Sequence, residues 1–171
     1  MIIFVAGVYG SGKTTICSRL AADLGYLSVS ASELIRARRG SASWNSSKET
    51  QDIERNQQIL IEAVADLKMN HRNILLDGHF ALLDSETRIT VLPQKVFDNL
   101  SVDKIILVES SIQDIESRLK ARDKEEWDRK LIKELIISER NNALAYHQAT
   151  GTPLKIVNSK NYRDIIPYLE K

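Results

Sequence analysis

The chain has 171 residues, a length typical of one compact domain with a full hydrophobic core. Hydrophobic residues make up 43% and charged residues 27%, as in ordinary soluble globular proteins, and no apolar run is long enough to span a membrane. The net charge of +1 disfavours binding of polyanions by bulk electrostatics, and the single cysteine, Cys17, excludes an internal disulfide and a multi-cysteine zinc site. No signal-peptide pattern precedes the first predicted strand, so the expected compartment is a reducing cytoplasm.

Strands and helices are predicted to alternate along the chain, which is typical of an α/β fold with a parallel sheet. Short apolar, β-branched runs predict strands at residues 2–6, 27–29, 73–77, 104–108 and 154–157. Helical spacing of apolar residues predicts helices at residues 14–24, 30–38, 48–69, 112–122, 125–149 and 162–170. Residues 40–47 and 78–85 are predicted to be loops, the first of them polar.

The first strand leads directly into Gly-Val-Tyr-Gly-Ser-Gly-Lys-Thr at residues 7–14, which matches the phosphate-binding P-loop pattern. Its glycines let consecutive backbone N–H groups point into one concavity, and the next helix directs its positive dipole end there. Lys13 is expected to reach the β- and γ-phosphates of ATP, and the Thr14 hydroxyl to ligate Mg²⁺. The residues expected to bind ATP in this segment are Gly7, Tyr9, Gly10, Ser11, Gly12, Lys13, Thr14 and Thr15.

Asp77 ends the third predicted strand, at the edge of the sheet where open α/β folds bind their ligands. An acid at that edge of a P-loop protein holds Mg²⁺, so Asp77 is predicted to be a metal-binding and catalytic residue. Arg118 and Arg122 are four residues apart and face one side of a helix. Arginines in such a group can neutralise the charge that spreads over phosphate oxygens during transfer.

These residues resemble the adenylate kinase branch of the nucleoside monophosphate kinases over essentially the whole chain. The segment from Ser30 to Arg36 resembles the family's acceptor-phosphate segment, which ends in an arginine. Asp77-Gly78-His79 and Leu92-Pro93 look most like the archaeal type.

The resemblance also implies the roles of later residues. Arg118 and Arg122 resemble the arginines that flank the lid, and Asn158 and Ser159 fall where a loop packs the donor adenine. The family's Pro-Arg pair after Asp-Gly is missing, and one expected lid arginine falls on Asn142, with Arg140 nearby. The implied acceptor-binding residues are Ser30, Glu33, Arg36 and, by proximity alone, Arg88.

The implied fold is a five-stranded parallel sheet P-loop NTPase in a single domain, residues 1–171, with short inserts for the nucleoside monophosphate and the lid. Its core would comprise residues 1–29, 71–117 and 141–171, its acceptor-binding insert about 30–70, and its lid about 118–140.

Three functions remain open at this point. The first is transfer of a phosphoryl group from ATP, with Mg²⁺, to a nucleoside monophosphate, which needs no general base because the acceptor is already a dianion. The second is a kinase of a hydroxyl, such as a nucleic-acid 5′ end or a small metabolite, with Glu33 or Asp77 as its base. The near-neutral charge weighs against a long nucleic-acid footprint. The third is an ATP-binding or ATPase module that regulates a protein partner, with weak or no transfer to an acceptor.

Overall fold

The structure of the chain is a computed structural model, in which residues 1–39, 49–50, 53–124 and 126–170 are described. The predicted polar loop at residues 40–47 lies outside the described residues, as do positions 48, 51 and 52 of the predicted long helix and position 125 of the later one. The strands are β1 (Ile2–Ala6), β2 (Leu27–Ser30), β3 (Glu49–Thr50), β4 (Ile74–Asp77), β5 (Ala81–Asp84), β6 (Ile89–Val91), β7 (Val102–Glu109) and β8 (Leu154–Asn158).

The predicted helices occur in the predicted order but differ at several ends. The prediction of a helix at residues 49–50 is wrong, since these residues form the strand β3 and the long helix begins at Ile53. The helices are α1 (Lys13–Leu24), α2 (Ala31–Arg39), α3 (Ile53–Asn70), α4 (Gln94–Leu100), α5 (Ile112–Asp123), α6 (Arg129–Thr150) and α7 (Ile166–Leu169). The side chain of Asp128 accepts a hydrogen bond from the Lys130 N–H and so fixes the start of α6. The predicted closing helix is a 3₁₀ turn, Tyr162–Ile165, followed by the single turn of α7.

The main sheet has five parallel strands in the order β2-β4-β1-β7-β8, which confirms the predicted fold class. All five residues of β1 are buried, because strands pair with both of its edges and helices cover both faces of the sheet. One face packs against α3, α4 and α6, and the other packs against α1 and the C-terminal turns. This arrangement places the ends of β1 and β4 side by side, in the register Val5 to Asp77.

A second, three-stranded sheet was not predicted, so the prediction of a loop over residues 78–85 is wrong. β5 pairs in parallel with β3 and in antiparallel with β6, and its side chains alternate between buried and half-buried positions. Ala81 and Leu83 take the buried positions, which is why so short and partly polar a segment forms a strand. The helix α4 was also missed.

Among the described residues, no helix combines the length and the apolar character that crossing a membrane would need.

A matched pair of isoleucine substitutions tests where the core lies. Ile105 in β7 is fully buried, whereas Ile137 on α6 is 58% exposed. Ile105→Ala should lower the free energy of unfolding by about 2–5 kcal/mol, because it removes buried methyl groups and leaves a cavity. Ile137→Ala should change it by no more than about 0.5 kcal/mol. Chemical denaturation would measure both, and equal effects would contradict the assigned sheet.

Candidate active site

The P-loop follows β1 and closes onto α1, which begins at Lys13. Gly7 has a φ of 151°, and a Cβ atom there would lie 2.6 Å from both Ser11 Oγ and the Val108 carbonyl oxygen. Only glycine therefore fits at the first position of the loop. The helix dipole and the first N–H groups of α1 make this end of the sheet suited to phosphate oxygens.

Lys13 lies folded against the loop that carries it. Its side chain is 7% exposed, and its Nζ donates to the carbonyl oxygens of Gly7 and Val8 at 2.8 and 3.1 Å. The same Nζ lies 3.8 Å from Asp77 Oδ1, so the ammonium group sits beside a carboxylate at the mouth of the loop.

Asp77 meets the P-loop at the position predicted from the sequence. The Thr14 hydroxyl donates to Asp77 Oδ2 at 2.7 Å. A hydroxyl and a carboxylate are hard oxygen ligands of the kind that Mg²⁺ accepts together with phosphate oxygens and water. Within the described part of the chain, no cluster of three or more His, Cys, Asp or Glu residues could hold a metal ion by itself. The donor set therefore fits a magnesium ion that arrives with its nucleotide.

Glu139 supports the P-loop from α6, and the sequence analysis missed it. It lies on α6, is 1% exposed, and its carboxylate accepts hydrogen bonds from three backbone N–H groups. Gly7 donates to Oε1 at 2.9 Å and Ala81 to Oε2 at 2.8 Å, while Phe80 donates to both oxygens at 3.0 and 2.9 Å. One carboxylate thus joins the first residue of the P-loop to the chain that follows β4.

Opposing effects act on the pKa of Glu139. Burial raises the pKa of this carboxyl group, because a charged form is costly away from water. The N–H groups of Phe80, Ala81 and Gly7 and the positive charge of Lys13 act in the opposite direction. The sequence gives one signal for Glu139. This acid lies four residues from both Leu135 and Ala143, and so on the apolar face of a helix.

Three aromatic rings pack together at the P-loop. The Tyr9 ring lies 4.4 Å from that of His79 and 5.7 Å from that of Trp127, between ring centres. Burial raises the pKa of the Tyr9 hydroxyl to about 12, so this side chain stays neutral at physiological pH. Because Trp127 lies between α5 and α6, these contacts attach that connection to the P-loop.

The two predicted lid arginines have different surroundings. Arg118 Nη1 donates to the Gly10 carbonyl oxygen at 3.0 Å and to Ser110 Oγ at 3.1 Å, and its Nη2 approaches Ser159 Oγ at 3.4 Å. It therefore joins the P-loop to the segment after β8. Arg122 makes a two-point contact with Asp123, with both N–O distances at 2.6 Å.

A cavity of about 530 Å³ extends from the P-loop to a compartment between α2, α3 and α4. Its polar lining joins the expected donor and acceptor residues. These are Tyr9, Gly10, Gly12, Lys13, Thr14, Thr15, Ser30, Arg36, Asp77, Arg118 and Arg122. Gly78 also lines it and has no room for a side chain, since an added Cβ would lie 2.7 Å from the Phe4 ring.

Several expected site residues lie outside this cavity lining. Arg88 forms ion pairs with Asp84 and Glu86 beside the β5–β6 turn, and its side chain is 67% exposed. Glu33 is exposed on the first turn of α2, and Asn158 Oδ1 accepts a hydrogen bond from the Lys160 N–H.

The two positions considered for a further lid arginine also point elsewhere. Arg140 pairs with Glu109, and the Asn142 amide donates to the Ser138 carbonyl oxygen at 2.7 Å. Neither residue lines the cavity.

The chain is a P-loop phosphotransferase. Its P-loop lies between β1 and α1, an acid ends the adjacent strand, and α5 carries arginines at the same cavity. The family model described as "AAA domain" matches residues 6–135, and the chain belongs to that family.

Known adenylate kinases are similar to this chain. The "Adenylate kinase" of Methanothermobacter thermautotrophicus is 26% identical over 168 residues, covering 94% of this chain and 91% of that protein. "Adenylate kinase isoenzyme 1" of Homo sapiens is 34% identical over 86 residues, covering 46% of this chain and 44% of that protein. The isoenzyme of Oryctolagus cuniculus is 38% identical over the same lengths. The resemblance to adenylate kinases, including an archaeal one, is thereby confirmed.

Substitution of Glu139 tests its structural role. Glu139→Gln would turn an NH₂ group toward backbone N–H donors, so at least one buried donor would lose its acceptor. The free energy of unfolding should fall by about 1–3 kcal/mol. Glu134→Gln is the matched control, because Glu134 is exposed on the same helix and pairs only loosely with Lys130, at 3.9 Å. A Glu139 variant as stable as this control would show that the buried contacts contribute nothing.

Proposed function

We propose that the chain transfers the γ-phosphoryl group of ATP to a nucleoside monophosphate, with AMP as the first acceptor to test. The observation that carries this proposal is the single cavity that joins the P-loop to Arg36 and the compartment beyond it. The similarity to adenylate kinases supports the same reaction class.

On the donor side, the N–H groups of the P-loop and the start of α1 would hold the β- and γ-phosphates. Lys13 would exchange its contacts with the Gly7 and Val8 carbonyl oxygens for phosphate oxygens, which its flexible side chain allows. Thr14 and Asp77 would hold the magnesium ion, which neutralises phosphate charge when bound. The adenosine part of ATP would extend from the P-loop toward Arg118 and Ser159.

On the acceptor side, Arg36 would bind the monophosphate through its planar fork of N–H groups, with Ser30 beside it. The acceptor oxygen is already negatively charged, so positioning and charge neutralisation suffice. Asp77 is the single carboxylate residue in the described cavity lining, and it already accepts the Thr14 hydroxyl. Glu33, the other base considered for a hydroxyl acceptor, is absent from that lining, which favours the monophosphate.

The lid remains part of the proposal. Residues about 118–140 would close over the transferring group and exclude water, which would otherwise accept it. Arg122 would then leave Asp123 and turn to the phosphates, since it already lines the cavity. The acceptor insert of about 30–70 would close from the other side.

The acceptor is tested with purified protein, ATP with Mg²⁺, and a panel of AMP, GMP, CMP, UMP, their deoxy forms and a 5′-hydroxyl oligonucleotide. We expect one monophosphate to be phosphorylated. Arg36→Ala should weaken use of that acceptor by about 2–4 kcal/mol, the cost of a desolvated charged group losing its partner, with little change in ATP affinity. Arg38→Ala is the matched control, because Arg38 lies on the same helix and pairs with Asp66 away from the cavity.

The other outcomes of this panel separate the alternatives. Phosphorylation of the oligonucleotide alone would show a hydroxyl kinase. ATP turnover or binding without any phosphorylated acceptor would overturn the kinase proposal and favour an ATP-dependent module that acts on a protein partner.

The metal role of Asp77 is tested by Asp77→Asn. The amide keeps the shape of the side chain but removes the charge that attracts Mg²⁺. The Mg²⁺ concentration needed for half-maximal transfer should rise on the order of 10–100-fold. Asp66→Asn, on the exposed side of α3, should leave it unchanged. An unaltered Mg²⁺ requirement in the Asp77 variant would make this residue structural.

A further inference from the structure

The part of the cavity beyond Arg36 is mostly apolar. Its walls come from α2, α3 and α4 and from the strands beneath them, and its lining there includes Phe4, Ile35, Leu60, Leu82, Leu92, Val96, Phe97 and Leu100. A compartment of this kind suits a flat ring with apolar faces, because such a ring buries its faces against hydrocarbon and satisfies its polar edge elsewhere.

The first turns of α3 bring two buried polar side chains into the lining of this cavity. Asn56 and Gln57 both line the cavity there, and they are 1% and 7% exposed. Gln57 Oε1 is enclosed and accepts no hydrogen bond from the rest of the described chain. An enclosed acceptor without a donor is costly, so its presence in the wall of a cavity calls for an explanation by function.

We propose that Gln57 recognises the base of the acceptor nucleotide by accepting a hydrogen bond from its exocyclic amino group. This inference rests on the function proposed above, and it specifies an amino-bearing base, with adenine or cytosine as the candidates. Arg36 would bind the phosphate end of the same molecule, and the apolar walls would cover the faces of its base.

The geometry of a glutamine side chain allows this contact. The terminal carboxamide turns about its last bond through a broad, roughly two-fold torsion, so that its oxygen can face the cavity when a donor enters. The NH₂ group beside that oxygen can donate to a ring nitrogen, and adenine and cytosine both carry an amino group next to such a nitrogen. A site that offers a buried partner for an N–H group rejects ligands that lack it.

The test is a double-mutant cycle between the protein and the ligand, read by isothermal titration calorimetry so that it needs no phosphoryl transfer. The ligand pair is AMP and purine riboside 5′-monophosphate, which lacks only the amino group. A second pair is CMP and pyrimidin-2-one riboside 5′-monophosphate, which likewise lacks only the amino group. The protein pair is the wild-type chain and Gln57→Leu. Gln58→Leu is the matched control, because the adjacent Gln58 is exposed and donates to Glu62 Oε1 at 2.9 Å.

In one ligand pair, the member without the amino group should bind about 10–100-fold more weakly than its partner, both to the wild-type chain and to Gln58→Leu. In Gln57→Leu the two members of that pair should bind within about threefold of each other, because the partner of the amino group is gone. An equal loss in all three proteins, or no loss in the wild-type chain, would overturn the proposal.

Thermal stability of the unliganded variants provides a second, independent measurement. Gln57→Leu removes an acceptor that has no donor, so its melting temperature should stay the same or rise. A clear fall would show that Gln57 supports the fold instead. If binding depends on the amino group but no monophosphate is phosphorylated, only the proposed function is overturned. If a monophosphate is phosphorylated but binding does not depend on the amino group, only the role of Gln57 is overturned.

Discussion

The carboxylate of Glu139 is the interaction on which the geometry of the site depends. It is fully enclosed, and it holds the N–H of Gly7 at the start of the P-loop together with the N–H groups of Phe80 and Ala81 beyond β4. An enclosed charge is tolerated only when hydrogen bonds and opposite charge compensate for lost water, and three N–H groups and nearby Lys13 supply both. These hydrogen bonds join the start of the P-loop to the segment that follows β4 and favour one relative position of the two.

That relative position explains why donor and acceptor residues share one cavity. The P-loop contributes Lys13 and Thr14 to the lining of this cavity, and Gly78 and His79, just before the residues that Glu139 binds, contribute to the same lining. Gly78 packs directly on the Phe4 ring of β1, so the central strand supports this wall as well. Phosphoryl transfer needs two anionic groups aligned and shielded from water, and a rigid frame between their binding sites provides that alignment.

Local patterns in the sequence predicted most of the fold and the position of the P-loop. Buried β-branched runs predicted the five parallel strands, and the spacing of glycines, Lys13 and Thr14 predicted the P-loop. The β5–β6 hairpin was missed because its strands are short, and Glu139 because its partners lie 132, 59 and 58 residues away in the chain. Arg88 is predicted to bind the acceptor only because it is near Asp77 in the sequence. In the structure it pairs with the neighbouring Asp84 and does not line the cavity.

The central claim, that the acceptor is itself a nucleoside monophosphate, is tested most directly by running the reaction backward. Protein, Mg²⁺ and ADP, alone or mixed with CDP, GDP or UDP, are followed by ³¹P NMR. The account predicts that ATP and one nucleoside monophosphate form in equal amounts, because a phosphoryl group passes from one diphosphate to ADP. A hydroxyl kinase or an ATPase has no such route to ATP. If the protein binds ADP but forms no ATP with any of the diphosphates, the account is contradicted.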